Sequence, residues 1–288
     1  MKIEPICVPC IAQVRLRELA SYGRLSDEER IEAMAKFLEE YSRLVWPGES
    51  TVVLATRAFK VVKRLLREED PYREFKARSN EAARKLVPLI EEKVRSIEDD
   101  YERFRALVVA AVNANAVDPG VPFSAGPEVL CERLLEAKLD VDHTRRVYEF
   151  LKDSTRVAYY LDNAGEALID LLLVKELASM GLEVTVLARG GTYQNDVTYE
   201  EALALGFGEY ARVVSTGFDT CGPWKLSEEA RRALEEADLI IAKGMACYET
   251  YLYFPPPGHV AHLFQVKCWP VARTLGLKPR AKVVLFRE

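Results

Sequence analysis

Asp162 and Asn163 stand side by side in YYLDNAGEALIDLLLVKEL, residues 159–177, where a short apolar run gives way to a helical pattern. The chain holds only five Asn and three Gln, so a paired aspartate and amide is informative. A second pair, Asn195 and Asp196, follows the run EVTVLA, and Lys243-Gly244 follows LIIA. Carboxylate and amide oxygens are hard ligands that suit Mg²⁺, Mn²⁺ or a similar cation. Gly165 lets the backbone turn tightly into the helix behind it, whose first N–H groups favour an anion such as phosphate. Clustered carboxylates repel a phosphate unless a cation lies between them. A divalent metal joining Asp162, Asn163 and Asp196 to a phosphoryl oxygen resolves that conflict, with Lys243 on another oxygen. The competing explanation is helix capping: Asp and Asn are common N-caps, and Thr198 with Glu201 fits a capping box.

These residues need a scaffold. The second half alternates the apolar runs VAYYL, EVTVLA, ARVVS, LIIAK, HLFQV and KVVLF with four helical segments. Those segments are EALIDLLLVKELASMG, TYEEALALG, SEEARRALEEAD and WPVARTLG. Strand–helix alternation predicts an α/β fold with a mainly parallel sheet covered on both faces. Ligands bind such sheets beyond the carboxyl ends of the strands, which is where Asp162, Asp196 and Lys243 fall. The first half reads as helices over 31–46, 51–69, 79–99 and 101–115, with starts at Ser26-Asp27, Ser50 and Ser79-Asn80. Composition and period shift between Leu151 and Arg156. That divides a helical domain, 1–153, from a Rossmann-like α/β domain, 154–288.

The totals narrow the function. A net charge of -5 and a pI near 5.6 argue against general nucleic-acid binding. No apolar run reaches the ~20 residues of a membrane span. The start, MKIEPICVPC, lacks the shape of a signal peptide, so a cytoplasmic protein is expected. Scarce amides and abundant Glu, Arg and Lys suit a protein from a hot habitat. Six cysteines in a chain of this size do not suggest a disulfide scaffold.

Taken together, the motifs resemble the damage-control phosphatases, also called domain of unknown function 89 or the acidic-residue-methyltransferase-like group. Cys7-x-x-Cys10 and Gln13 begin the series, which continues with Asp70, Pro71, Tyr72, Lys76 and Asn80. NANAVDPG, with Asn115 and Asp118 in register, is followed by DNAGE, NDVT, KGMACYET and KCWPVA. The resemblance spans nearly the whole chain and implies a helical region packed on a three-layer α/β/α domain. It implies a metal-dependent phosphatase of small phosphorylated metabolites, such as sugar phosphates, using Mn, Ni, Co or Mg. Asp162, Asn163 and Asp196 would hold the metal. Glu166, Asn115, Asp118 and Lys243 would line the substrate and phosphate pocket, beside Gly165. The Cys-x-x-Cys is similar to that of a small stand-alone subfamily. Two positions depart from the pattern: Cys247 replaces an amide that hydrogen-bonds in both directions, and Ala114 replaces a glycine.

Catalytic roles fall to Asp162, Asp196 and Glu166. Asp162 is a ligand or a nucleophile, and water activated near Asp196 or Glu166 is the alternative. Two rival functions are an S-adenosylmethionine-dependent methyltransferase, whose glycine-rich loop is missing, and a non-catalytic metabolite- or metal-binding module. Cys7 and Cys10 could hold a soft metal with Cys268 or another residue, form a redox pair, though no strand precedes them as in a thioredoxin-like unit, or simply pack around a Val8-Pro9 turn. Cys131 and Cys221 read as structural. His143, His259 and His262 are too few and scattered for a zinc site; His259 and His262 read as surface or satisfied core, and residues 251–259 as a loop over the site or an edge.

Overall fold

The computed structural model describes residues 1–114, 134–135, 138–220, 222 and 225–288. Asn115, Asp118, Cys131 and Cys221 lie outside them. Five helices come first: α1 (Cys7–Ala20), α2 (Asp27–Leu44), α3 (Thr51–Leu66), α4 (Arg73–Arg95) and α5 (Asp100–Asn113). Then follow β1 (Val141–Asp142), α6 (Thr144–Lys152), β2 (Arg156–Tyr160), α7 (Glu166–Ser179), β3 (Glu183–Ala188) and α8 (Tyr199–Ala204). The chain ends with β4 (Arg212–Ser215), α9 (Glu228–Glu236), β5 (Leu239–Lys243), α10 (Gly244–Tyr251), β6 (His259–Gln265), α11 (Trp269–Leu275) and β7 (Lys282–Arg287).

The strands form one sheet in the order β1-β7-β6-β5-β2-β3-β4. Pairing is parallel except between β6 and β7. Alternate residues of each strand enter different cores. Val157, Tyr159, Val186 and Ile241 pack with α4, α5 and α7 on one face. Ala158, Tyr160, Leu187 and Ile240 pack with α9 and α10 on the other. That two-sided burial is why the strand runs read as nearly continuous apolar sequence. Helix α7 is apolar all round because it lies between the sheet and the α4–α5 pair. The α1–α3 bundle has its own core around Leu19, Phe37 and Phe59. Strand β1 precedes the compositional shift near residue 153 and pairs with β7.

Several local expectations hold and some fail. Ser26 caps α2 in a full capping box, and so does Thr198 for α8. Ser79-Asn80 is no helix start. Asp70-Pro71 sets the turn, with Asp70 Oδ1 accepting from the Tyr72 N–H at 3.2 Å, so α4 begins at Arg73. Val8-Pro9 is not a turn either, because proline is tolerated in the first turn of a helix and α1 starts at Cys7. Residues 252–258 lead into the amino end of β6, where Gly258 approaches the Ala237 carbonyl, away from the strand ends that carry the site. Among the described residues no helix is long and apolar enough to cross a membrane.

Candidate active site

Strand β2 ends at Tyr160, and two residues later Asp162 sits beyond the carboxyl edge of the sheet. Two backbone hydrogen bonds fasten this turn to the loop after β3. The Ala164 N–H donates to the Asn195 carbonyl at 2.8 Å, and the Val197 N–H to the Asp162 carbonyl at 2.9 Å. Asn163 and Asp196 thereby face each other as an isolated bridge. Gly244, at φ +80°, starts α10 against this turn. A Cβ there would lie 2.2 Å from Asp162 Oδ2, so only glycine admits the approach.

Asp162, Glu166, Arg189 and Asp196 are buried, Asn163 is half-buried, and these groups bond to one another. Asn163 Nδ2 donates to Asp162 Oδ2 at 2.7 Å and to Glu166 Oε2 at 3.0 Å. Arg189 donates from Nε to Asp196 Oδ2 at 2.8 Å, and its guanidinium lies 3.8 Å from Asp162 Oδ1. Burial, reinforced by the Glu166 and Asp196 charges, pushes Asp162 up to about 7, against the weaker pull of Lys267 and Arg189. A cation placed there would relieve that crowding. Among the described residues no three His, Cys, Asp or Glu are grouped to hold a metal. The donors here are two carboxylates and an amide, Asp162, Asp196 and Asn163. That set fits a hard cation which keeps positions open for water and a phosphoryl oxygen.

Lys243 does not face this space as expected. It is fully buried, and its ammonium donates to Glu166 Oε1 at 2.6 Å, to the Ala111 carbonyl at 3.0 Å and to Asp170 Oδ1. An ammonium has three protons, so none remains for a phosphate. Its two carboxylate partners hold the Lys243 pKa well above its ordinary value despite burial. Gly165 takes φ +78° at the start of α7, as the expected tight turn requires, but it offers nothing to a phosphate. Its N–H donates to Asn80 Oδ1 at 2.7 Å, and its role is to let α4 pass close, since a Cβ would meet Ser79 at 3.0 Å. Both Glu166 oxygens accept hydrogen bonds, one from Lys243 and one from Asn163.

Three residues were missed in the sequence. Asp170, one turn after Glu166 on apolar α7, accepts from the Tyr159 hydroxyl at 2.9 Å and completes the Lys243 cage. A lone aspartate in EALIDLLLV was the available signal. Arg189, directly after EVTVLA, is fully buried and positions Asp196. Lys267 is exposed just past β6, lines the same cavity as Arg189 and Asp196, and its charge acts on Asp162.

Comparison with known proteins decides the family. The damage-control phosphatase ARMT1-like domain matches residues 3–283. The chain belongs to that family. A damage-control phosphatase of Archaeoglobus fulgidus is 34% identical, over 96% of each chain. One from Pyrococcus horikoshii is 31% identical over 100% of this chain and 99% of its own. The crystal structure of a DUF89 family protein from Pyrococcus horikoshii superposes with a TM-score of 0.90 at 27% identity, covering both chains completely.

The family's motif residues now have visible work. Lys76 is buried in ion pairs with Asp70 at 2.8 Å and Glu201 at 2.6 Å, tying α4 to α8. Ala114 has φ -60°, so alanine meets no backbone strain at the position where the resemblance leads one to expect glycine. Cys247 is buried in the core between α10 and the sheet, so a small apolar side chain stands where the resemblance leads one to expect an amide. His143 Nδ1 accepts from the Phe286 N–H at 3.2 Å. His262 does not fit a satisfied core, because both its ring nitrogens are buried without partners.

Proposed function

We propose that the chain is a metal-dependent phosphatase that hydrolyses phosphomonoesters of small metabolites. The observation that carries this reading is the buried pair of carboxylates, Asp162 and Asp196, joined by Asn163 at the sheet edge beside Lys267. Asp162, Asn163 and Asp196 would hold Mg²⁺, Mn²⁺, Co²⁺ or Ni²⁺. Such a cation supplies charge neutralisation at the phosphoryl group and favours in-line attack. The chain's own groups prepare the site. Arg189 fixes Asp196, and Lys243 with Asp170 fixes Glu166, which in turn orients the Asn163 amide. Lys267 binds a phosphoryl oxygen, the role first expected of Lys243. Glu166 acts as a positioning residue, because both its oxygens are engaged. A methyltransferase would need a glycine-rich loop after β2, where this chain has DNAGE.

The test is calorimetric titration of Mn²⁺ into metal-stripped protein. Wild type and Lys267→Ala bind, Asp196→Ala does not, and Lys267→Ala raises KM for phosphomonoesters. Undiminished Mn²⁺ binding by Asp196→Ala would contradict the ligand assignment.

A further inference from the structure

A cavity of about 420 Å³ opens off the Asp196 edge of the cluster, between α1, α3, α10 and the turn into α11. One end carries Asp196, Arg189 and Lys267. Much of the remaining wall is Ile6, Ile11, Val52, Met245 and Trp269. Trp269 and Ile6 are 59% and 57% exposed, so the apolar surface continues out to the mouth. Of the three hydroxyls on the wall two are already engaged: Thr51 donates to the Met1 carbonyl, and Thr220 accepts from Thr56, which leaves that of Tyr193. Cys7, Cys10 and Cys268 add three thiols. Burial raises the Cys7 thiol and lifts Cys268 to about 11. Those two thiols are neutral at neutral pH and behave as small apolar groups. Glu249 adds a carboxylate, which disfavours a second anionic group on a ligand.

Resting on the phosphatase reading above, we infer that this cavity seats an apolar alcohol half, an aryl or branched-alkyl group esterified to the phosphate, in preference to a polyhydroxylated sugar. Continuity with Asp196 and Lys267 places the phosphate at the charged end and the organic group against Trp269. Beyond Glu249 and the Tyr193 hydroxyl the wall has few groups to receive a sugar's several hydroxyls, most of which would give up water unrepaid, whereas an aryl ring gains by leaving water. The substrate class therefore differs from the sugar phosphates that the motifs alone imply.

The experiment compares kcat/KM for naphthyl phosphate and a hexose phosphate, using metal-loaded full-length wild type and Ala55→Trp, which fills the cavity. The expected result is an aryl preference on the order of tenfold or more that collapses in Ala55→Trp. Equal rates, or a preference for the hexose phosphate, would overturn the inference while leaving the phosphatase reading intact. If neither compound turns over, the phosphatase reading fails, and calorimetry with naphthyl phosphate decides the cavity separately. Binding that Ala55→Trp abolishes supports the apolar seat, and absent binding overturns it.

Discussion

Replacing Lys243 by Met separates a structural cation from a substrate-binding one. In the wild type one buried ammonium lies between Glu166 and Asp170. Burial lifts Asp170 to about 7 even with Lys243 beside it, with the Glu166 charge adding to the rise. Methionine fills similar space but leaves two carboxylates facing each other without a counter-charge. Breaking a buried pair by removing one partner costs about 3–5 kcal/mol. The sign with pH follows. Without the ammonium, the Asp170 carboxyl is pushed further above its unfolded value near 4. The variant is therefore most competitive below that range and loses stability as pH rises towards neutrality. Urea unfolding of metal-free protein at several pH values, followed by circular dichroism, gives the difference. Adding Glu166→Gln and Asp170→Asn to Lys243→Met removes the stranded charges and recovers part of the loss. A Lys243→Met protein as stable as wild type, with a raised KM for phosphomonoesters, would refute the caged-lysine reasoning and return Lys243 to the substrate.

Other perturbations test neighbouring parts of the account. His262 packs against Tyr248 and Tyr251, and burial, aided by Arg287, drops its pKa from 6.5 to about 3. The unfolded chain binds the extra proton across that window, so stability falls as pH falls through it, by up to about 1.4 kcal/mol per unit. His262→Phe should flatten that acid slope in urea titrations, and an unchanged slope contradicts the assignment. Gly244→Ala combines φ +80° with a Cβ 2.2 Å from Asp162 Oδ2, so Asp162 must move. Displacements near 1 Å cost about 100-fold in rate, which steady-state kinetics will read. Arg189→Met leaves Asp196 buried without its 2.8 Å partner and should cost about 3–5 kcal/mol in metal-free protein. Saturating Mn²⁺ should shrink that cost, and an equal cost with and without metal would count against a cation beside Asp196.

Much of the scaffold was legible because period and burial agree. EVTVLA and LIIAK coincide with β3 and β5, since strands covered on both faces must be apolar along their length. Strand β1, two residues long, carries no such signal and exists through its pairing with β7. Helix α10 was invisible because KGMACYET has no amphipathic stripe. Asp162, Asn163 and Asp196 were found because the sheet rule puts strand ends together. Lys243 was misassigned for a three-dimensional reason. It stands at a strand end, yet Glu166 and Asp170, four residues apart on one face of α7, draw its side chain into the core. Lys267 follows the run HLFQV and falls under the same sheet rule, but a lone lysine at a strand end is a weak signal that by itself assigns no role.

The central claim is that a divalent metal held by Asp162, Asn163 and Asp196 makes this fold a phosphatase. The most direct measurement is phosphate release from an aryl phosphate by metal-stripped protein, before and after adding Mg²⁺, Mn²⁺, Co²⁺ or Ni²⁺, with folded Asp162→Ala alongside. The account predicts no release without metal, restored release with at least one of them, and none from Asp162→Ala. Turnover that persists after stripping, or that survives in Asp162→Ala, would contradict it.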